Sequence, residues 1–318
     1  MESNTQPLTL QDIEHRFAEI KRRITGRDLK ENTVKNNAKM IAKIMAATGG
    51  IPIWLYPDKV EEYLDNTTLS LTTKRNYTSL MLAMINYEKQ IAENNQVDDA
   101  IKRYVSLIAE AEKQVATNKQ ERVVSAKKQE QQVMPSVVYD IVDGLNANKH
   151  HNLALIVEIL MKYPYRAEVG TLIYYKLEDF NKLKHKTENY LVVGKRKIFV
   201  SRSDYKTSHK YGTIKNDITE PDLKKKIREY IEMNDVESAN SMFGFATPQD
   251  LSKRLGYITK KMTGISLGPA AIVKVMLSNH KFKDMASAAD YLREASRIRG
   301  TSLSVLQDVY LHKSALED

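Results

Sequence analysis

A chain of 318 residues, 42% of them apolar and 28% charged, is long enough for two domains with cores of their own. Its 49 Lys and Arg outnumber 40 Asp and Glu, and the formal charge of +9 points to a polyanionic partner, most economically nucleic acid. The lack of cysteine excludes thiol catalysis, disulfides and thiolate metal sites, and no apolar run approaches the roughly 18 residues of a membrane span.

Met1–Pro7 is polar, without the apolar centre of a signal peptide, so a soluble intracellular protein is expected. Leu10, Ile13, Phe17, Ile20 and Ile24 fall at helical spacing on a first helix that ends near Gly26. Val34, Ala38, Ile41 and Met45 line a second, stopped by Gly49 and Gly50. Pro57 opens a short third helix through Leu64. Ser70 and Thr72 are candidate N-caps of a fourth, with Tyr77, Leu80, Met81 and Met84 facing inward. A fifth runs from about Asp98 to Lys119 on Ile101, Tyr104, Val105, Ile108 and Val115. Residues 1–120 therefore read as an all-helical bundle. The polar, charged stretch that follows, with Pro135 at its end, reads as a linker over 121–134 or as a long solvated helix inside one domain.

Residues 135–318 open with two helices, the first capped by Ser136 and the second running from about His151 to Tyr163. Strand patterning follows at Leu172–Tyr175, Tyr190–Val193, Ile198–Val200 and Thr213–Ile218, and the chain is helical again after Glu220. The expected fold class is mainly α with a small antiparallel sheet, an α+β second domain behind a helical bundle.

Three groups in the second half could carry chemistry. Arg166 stands at a helix end in Y-P-Y-R-A-E-V-G, Lys206 on a hairpin in Y-K-T-S-H-K-Y-G, and Tyr310 after R-G-T-S and a short run with Leu303, Leu306 and Val309 at core spacing. Arginine, hairpin lysine and late tyrosine, in that order, resemble the catalytic domain of tyrosine recombinases and of phage or viral integrases. The hairpin and the A-K-K-Q-E stretch look most like recombinases of large DNA viruses and mobile elements. The resemblance implies a core-binding, DNA-binding domain over 1–120, a linker over 121–134 and a catalytic domain over 135–318.

It also implies roles. A phenol ionises near pH 10 and needs help to attack phosphorus at neutral pH. Tyr310 would form a 3′-phosphotyrosyl bond, while Arg166 stabilises charge on the non-bridging oxygens. Glu168 would orient Arg166. Lys206, expected where the second sheet strand turns into the third, would protonate the leaving 5′ oxygen, with Lys210 as an alternative. Thr301, in Gly300-Thr301-Ser302, stands where the family usually has histidine, and its hydroxyl can still bond a phosphate oxygen. The helix that carries L-R-H or L-R-K in the family reads Ile272-Val273-Lys274 here, which puts Val273 at the second arginine and Lys274 beside it. Arg293, Arg297 or Arg299 could supply the missing cation instead.

In the first half, L-S-L-T-T-K-R-N-Y (Leu69–Tyr77) resembles a helix start that meets DNA phosphates, with Lys74 and Arg75 adding charge. Lys21, Arg22 and Arg23, and Lys195, Arg196 and Lys197 on a turn, could add phosphate contacts. The implied partner is double-stranded DNA, bound by a homo-oligomer, a tetramer, with no metal or other cofactor. Two functions follow: site-specific recombination or integration, or a catalytically impaired relative acting as an architectural DNA-binding protein. A type IB topoisomerase shares the chemistry, but the helical bundle argues against it.

Overall fold

The computed structural model describes residues 8–120, 131, 133–280 and 285–310. The chain divides into two compact units, Met1–Val123 and Val124–Asp318. Most of the stretch expected as a linker lies outside the described residues.

The first unit is helical: α1 (Leu10–Thr25), α2 (Glu31–Ala47), α3 (Pro57–Asp65), α4 (Leu71–Gln90) and α5 (Asp98–Gln120). Thr9 and Asp12 close a capping box at the start of α1, and Gly26 ends it in the left-handed conformation at φ 69°. Pro57 sits in the first turn of α3. Of the two candidate caps of α4, Ser70 takes the position, and its hydroxyl accepts from the Thr73 amide. The core forms around Ile13, Phe17, Ile41, Trp54, Met81 and Tyr104. Three residues expected inside are exposed, among them Leu10 at 39% in the first turn of α1. Val105 is 52% exposed because a helix turns about 100° past the buried Tyr104. Ile24, in the last turn of α1, is 53% exposed.

The second unit begins with α6 (Pro135–Ala147) and α7 (His151–Lys162). Ser136 does not cap α6: Met134 holds that position without a side-chain bond, and Pro135 occupies the first turn. Then come β1 (Ile173–Lys176), α8 (Leu177–Lys182), β2 (Asn189–Val193), β3 (Ile198–Arg202), α9 (Ser208–Tyr211) and β4 (Ile214–Ile218). The chain continues with α10 (Pro221–Met233), α11 (Pro248–Thr263), α12 (Pro269–Ser278), α13 (Met285–Arg299) and α14 (Leu303–Tyr310).

The four strands lie in the order β1-β2-β3-β4. The sheet is mixed, not wholly antiparallel as expected. β1 runs parallel to β2, with Ile173 opposite Tyr190, and the other two pairings are antiparallel. The reason is the connection: after β1 the chain crosses through α8 and returns in the same direction, which a tight turn cannot do. One sheet face sends Tyr174, Leu191, Ile198, Val200 and Ile218 into the main core. The other packs Tyr190, Val192 and Phe199 around Phe180 of α8. The register aligns Asn189, Arg202 and Ile214 at one end of the sheet, and Val193, Ile198 and Ile218 at the other.

Candidate active site of the second unit

Arg166 follows α7 and precedes a 3-10 turn, Ala167–Thr171. The Y-P-Y stretch before it is fastened from inside. Tyr163 and Tyr165 are buried and stack with ring centroids 5.9 Å apart. The Tyr165 hydroxyl donates to Asn216 Oδ1 at 2.5 Å. The Tyr163 hydroxyl donates to the Glu220 carboxylate and accepts from the Thr219 amide at 2.7 Å. Burial, reinforced by Glu220, pushes the Tyr163 phenol up to about 12, and burial raises Tyr165 as well. From the other side Arg299, 2% exposed, donates to the carbonyls of Pro164 and Tyr165 at 3.0 and 2.9 Å.

With its backbone held this way, the half-buried Arg166 side chain reaches two distant segments. Nη1 donates to Thr207 Oγ1 and Nη2 to the Gly300 carbonyl, each at 3.3 Å. The Thr207 hydroxyl itself donates to that same carbonyl. Thr207 is the neighbour of Lys206, and Gly300 opens the turn that leads into α14. A chain separation of 134 residues is thus closed by one guanidinium.

The Gly300 turn is tightly built. Its φ is +64°, its amide donates to Arg297 O at 3.1 Å, and the Thr301 amide donates to Ser296 O at 3.0 Å. A Cβ on Gly300 would meet Tyr205 Cε2 at 2.6 Å, so the turn lies against the ring beside Lys206. Tyr205 cannot easily retreat, since its hydroxyl donates to Gly212 O at 2.7 Å. Lys206 is exposed, without a hydrogen bond or ion pair among the described residues. It lies in the β3–β4 connection, not between the second and third strands as expected: those two are joined by the short turn at Gly194, and the longer connection that holds Lys206 follows β3. Lys210 is exposed on α9, its ammonium 5.4 Å from the Tyr211 ring centroid. Thr301 is half-buried in the turn. Tyr310 closes α14, and its side chain lies outside the described residues.

Arg166, like Arg202 and Arg228, has no carboxylate partner among the described residues. Arg16, Arg75, Arg103, Arg293 and Arg297 all pair with carboxylates. Arg166, half-buried, has only a hydroxyl and a carbonyl within reach among the described residues. A cation removed from water and left without an anion is poised for one that arrives.

Several expected partners are placed elsewhere. Glu168 makes no hydrogen bond or ion pair with Arg166 among the described residues; its field bears instead on Arg202. Val273, 1% exposed, is packed in the core with Ile272 and Val275, so the position aligned with the second arginine faces inward. Lys274, next along α12, is half-buried. Arg293 and Arg297 are engaged with Asp290 and Glu294 along α13, and Arg299 donates to the backbone carbonyls of Pro164 and Tyr165. Lys195 and Arg196 are exposed in the β2–β3 turn, at the far end of the strands from Arg202. In the first unit Lys74 pairs with Asp65 at 3.2 Å and Arg75 with Glu112.

Two features escaped the sequence reading. Arg202, at the end of β3, is 1% exposed. On α11, Lys253, Arg254, Tyr257, Lys260 and Lys261 are all exposed and fall on one helical face, with no ion pair among the described residues. The acidic residue of that helix, Asp250, is occupied in the capping box with Thr247. The spacing of this basic face is visible in the sequence; the burial of Arg202 is not.

No family model matches the chain, and no curated protein matches it. Among solved structures, the crystal structure of XerA recombinase matches over 97% of this chain and 96% of that chain, at 12% identity and a TM-score of 0.38. At that identity and score the match does not establish a family.

Proposed function

We propose that the chain binds duplex DNA and that its second unit transfers DNA strands through a phosphotyrosyl intermediate, as a site-specific recombinase or integrase does. The observation that carries this reading is the Arg166 side chain, tied at once to Thr207 beside Lys206 and to Gly300 before the helix of Tyr310. Attack by the Tyr310 phenolic oxygen forms an O–P bond and breaks the bond from phosphorus to the 5′ oxygen. Arg166 takes up the charge on the non-bridging oxygens, and Lys206 gives a proton to the departing 5′ oxygen. Thr301 and Lys274 stand as further donors to the phosphate. Lys74 and Arg75, with Lys195, Arg196 and Lys210, would bind the DNA backbone; exposed pairs such as Arg75–Glu112 are weak enough to exchange for phosphate. Assembly as a tetramer on the duplex belongs to this reading on resemblance alone.

The test is a pool of nicked duplexes that trap a covalent intermediate. Adduct that survives denaturation and disappears in Tyr310→Phe supports the proposal. Arg166→Ala should slow adduct formation by about a hundredfold to a thousandfold, the loss seen on removing one charge-stabilising donor. The buried Val273 favours a second reading, an architectural DNA-binding protein without strand transfer. Tight, salt-sensitive duplex binding with no adduct on any substrate decides for it.

A further inference from the structure

We propose that Arg202 is the positioning residue of this site, a buried guanidinium that holds in one arrangement the three segments bearing Arg166, Lys206 and the turn before α14. Its place in the fold is unusual for a charged group. It ends β3 at 1% exposure, with its guanidinium carbon 4.9 Å from the Tyr165 ring centroid and 5.1 Å from that of Tyr205. Nη2 donates to the Ile298 carbonyl. Tyr165 directly precedes Arg166, Tyr205 directly precedes Lys206, and Ile298 lies two residues before Gly300. These three contacts therefore fall one residue before Arg166, one before Lys206 and two before Gly300, whose carbonyl accepts from Arg166.

Two ring contacts and a carbonyl favour a flat cation. Both rings have hydrogen-bonded hydroxyls, Tyr165 on Asn216 and Tyr205 on Gly212, which hold them in place beside the guanidinium. A guanidinium satisfies the two π faces and the Ile298 carbonyl together; an ammonium is a point charge and a thioether has no donor.

Stability alone does not account for the residue. Nε and Nη1 find no acceptor among the described residues, and burial lowers the affinity of the group for its proton. An apolar side chain of similar volume at such a position is commonly neutral or stabilising. What it cannot do is set the segments around it in register, which bears on rate and not on folding.

The inference rests on the strand-transfer reading for its consequence, but its structural content can be tested apart from it. Full-length Arg202→Met and Arg202→Lys are compared with the wild type by thermal melting, amide hydrogen exchange, duplex affinity and the rate of adduct formation on nicked DNA. Arg202→Met should melt at or above the wild-type temperature. Exchange should quicken in 163–169, 203–212 and 297–303 while α6 and α10 keep their protection. The adduct should form roughly a hundredfold more slowly at unchanged duplex affinity, the effect of an ångström-scale misplacement. Arg202→Lys, which keeps the charge without the plane, should fall between the two. Unchanged exchange in the three segments overturns the inference, as does a lowered melting temperature with faster exchange throughout the unit. If the wild type forms no adduct, the strand-transfer reading fails, and the exchange pattern alone decides the role of Arg202.

Discussion

Gly300→Ala probes the junction of the site most directly. The glycine has φ +64°, where a Cβ crowds the following carbonyl at a cost of about 1–2 kcal/mol. The added methyl would also lie 2.6 Å from Tyr205 Cε2 and 3.1 Å from Ile214 Cδ1. The ring is held by Arg202 on its face and Gly212 at its hydroxyl, so overpacking of about 1–3 kcal/mol should remain after relaxation. Gly264, at the end of α11, is the matched control: its φ is +78° and nothing lies within 4 Å of its Cβ position. Gly264→Ala should cost only the backbone part, about 1–2 kcal/mol. Both glycines lie in the Val124–Asp318 unit, so urea titrations of the full chain follow the same transition. The difference between the variants isolates the Tyr205 contact. Because the Gly300 carbonyl receives both Arg166 and Thr207, Gly300→Ala should also slow adduct formation, whereas Gly264→Ala should not. Equal destabilisation by the two substitutions would refute the packing argument.

Val273→Arg, the obvious attempt to restore a second guanidinium, should fail: the side chain is 1% exposed in the core, and an uncompensated buried charge costs about 3–5 kcal/mol. A melting temperature near wild type, with faster adduct formation, would show that position 273 faces the site after all. Replacing Lys253, Arg254, Lys260 and Lys261 together by alanine should weaken duplex binding and lower its salt dependence by about one unit of slope per lost phosphate contact. An unchanged slope removes α11 from the interface. Tyr163 gives the pH dependence. Its folded pKa of about 12 lies above the unfolded value near 10, so its contribution is complete below pH 10 and is lost as pH rises toward 12. Tyr163→Phe should flatten that alkaline loss in melts taken across the window; an identical pH profile would contradict the assignment.

The helices of the first unit could be read from the sequence because their information is local. Ile13, Phe17 and Ile20 repeat at helical spacing, and Gly26 can adopt the left-handed end that other residues resist. The strands were visible as β-rich runs, but their directions were not, since direction depends on α8 carrying the chain across the sheet. Glu168 illustrates the same limit at the site. Two residues after Arg166 suggests a partner, yet Arg166 is extended, Glu168 lies in a 3-10 turn, and no hydrogen bond or ion pair joins them among the described residues. The inward face of Val273 was available from its apolar neighbours Ile272, Val275 and Met276, while the resemblance to L-R-H pointed the other way. Arg202 could not have been found by spacing, because Tyr165, Tyr205 and Ile298 meet around it only in the folded unit.

Arg166 lies close enough to Arg202 to disfavour the charge on that buried guanidinium, and Glu168 offsets part of this. Folding the free protein therefore holds two like charges together, one buried and one half-exposed, with only neutral acceptors on Arg166. In the proposed reading, such an arrangement sacrifices stability for phosphate binding. It predicts opposite effects of one substitution in two states. Arg166→Gln keeps a donor for Thr207 or Gly300 and removes the repulsion, so the free protein should melt no lower than wild type. A duplex that raises the wild-type melting temperature does so through its affinity for the folded state, and that gain should shrink in the variant. Melting curves of both proteins, with and without excess duplex, make the comparison. If Arg166→Gln destabilises the free protein and leaves the duplex-induced gain intact, the guanidinium is a strut between Thr207 and Gly300, and the phosphate is held by other groups.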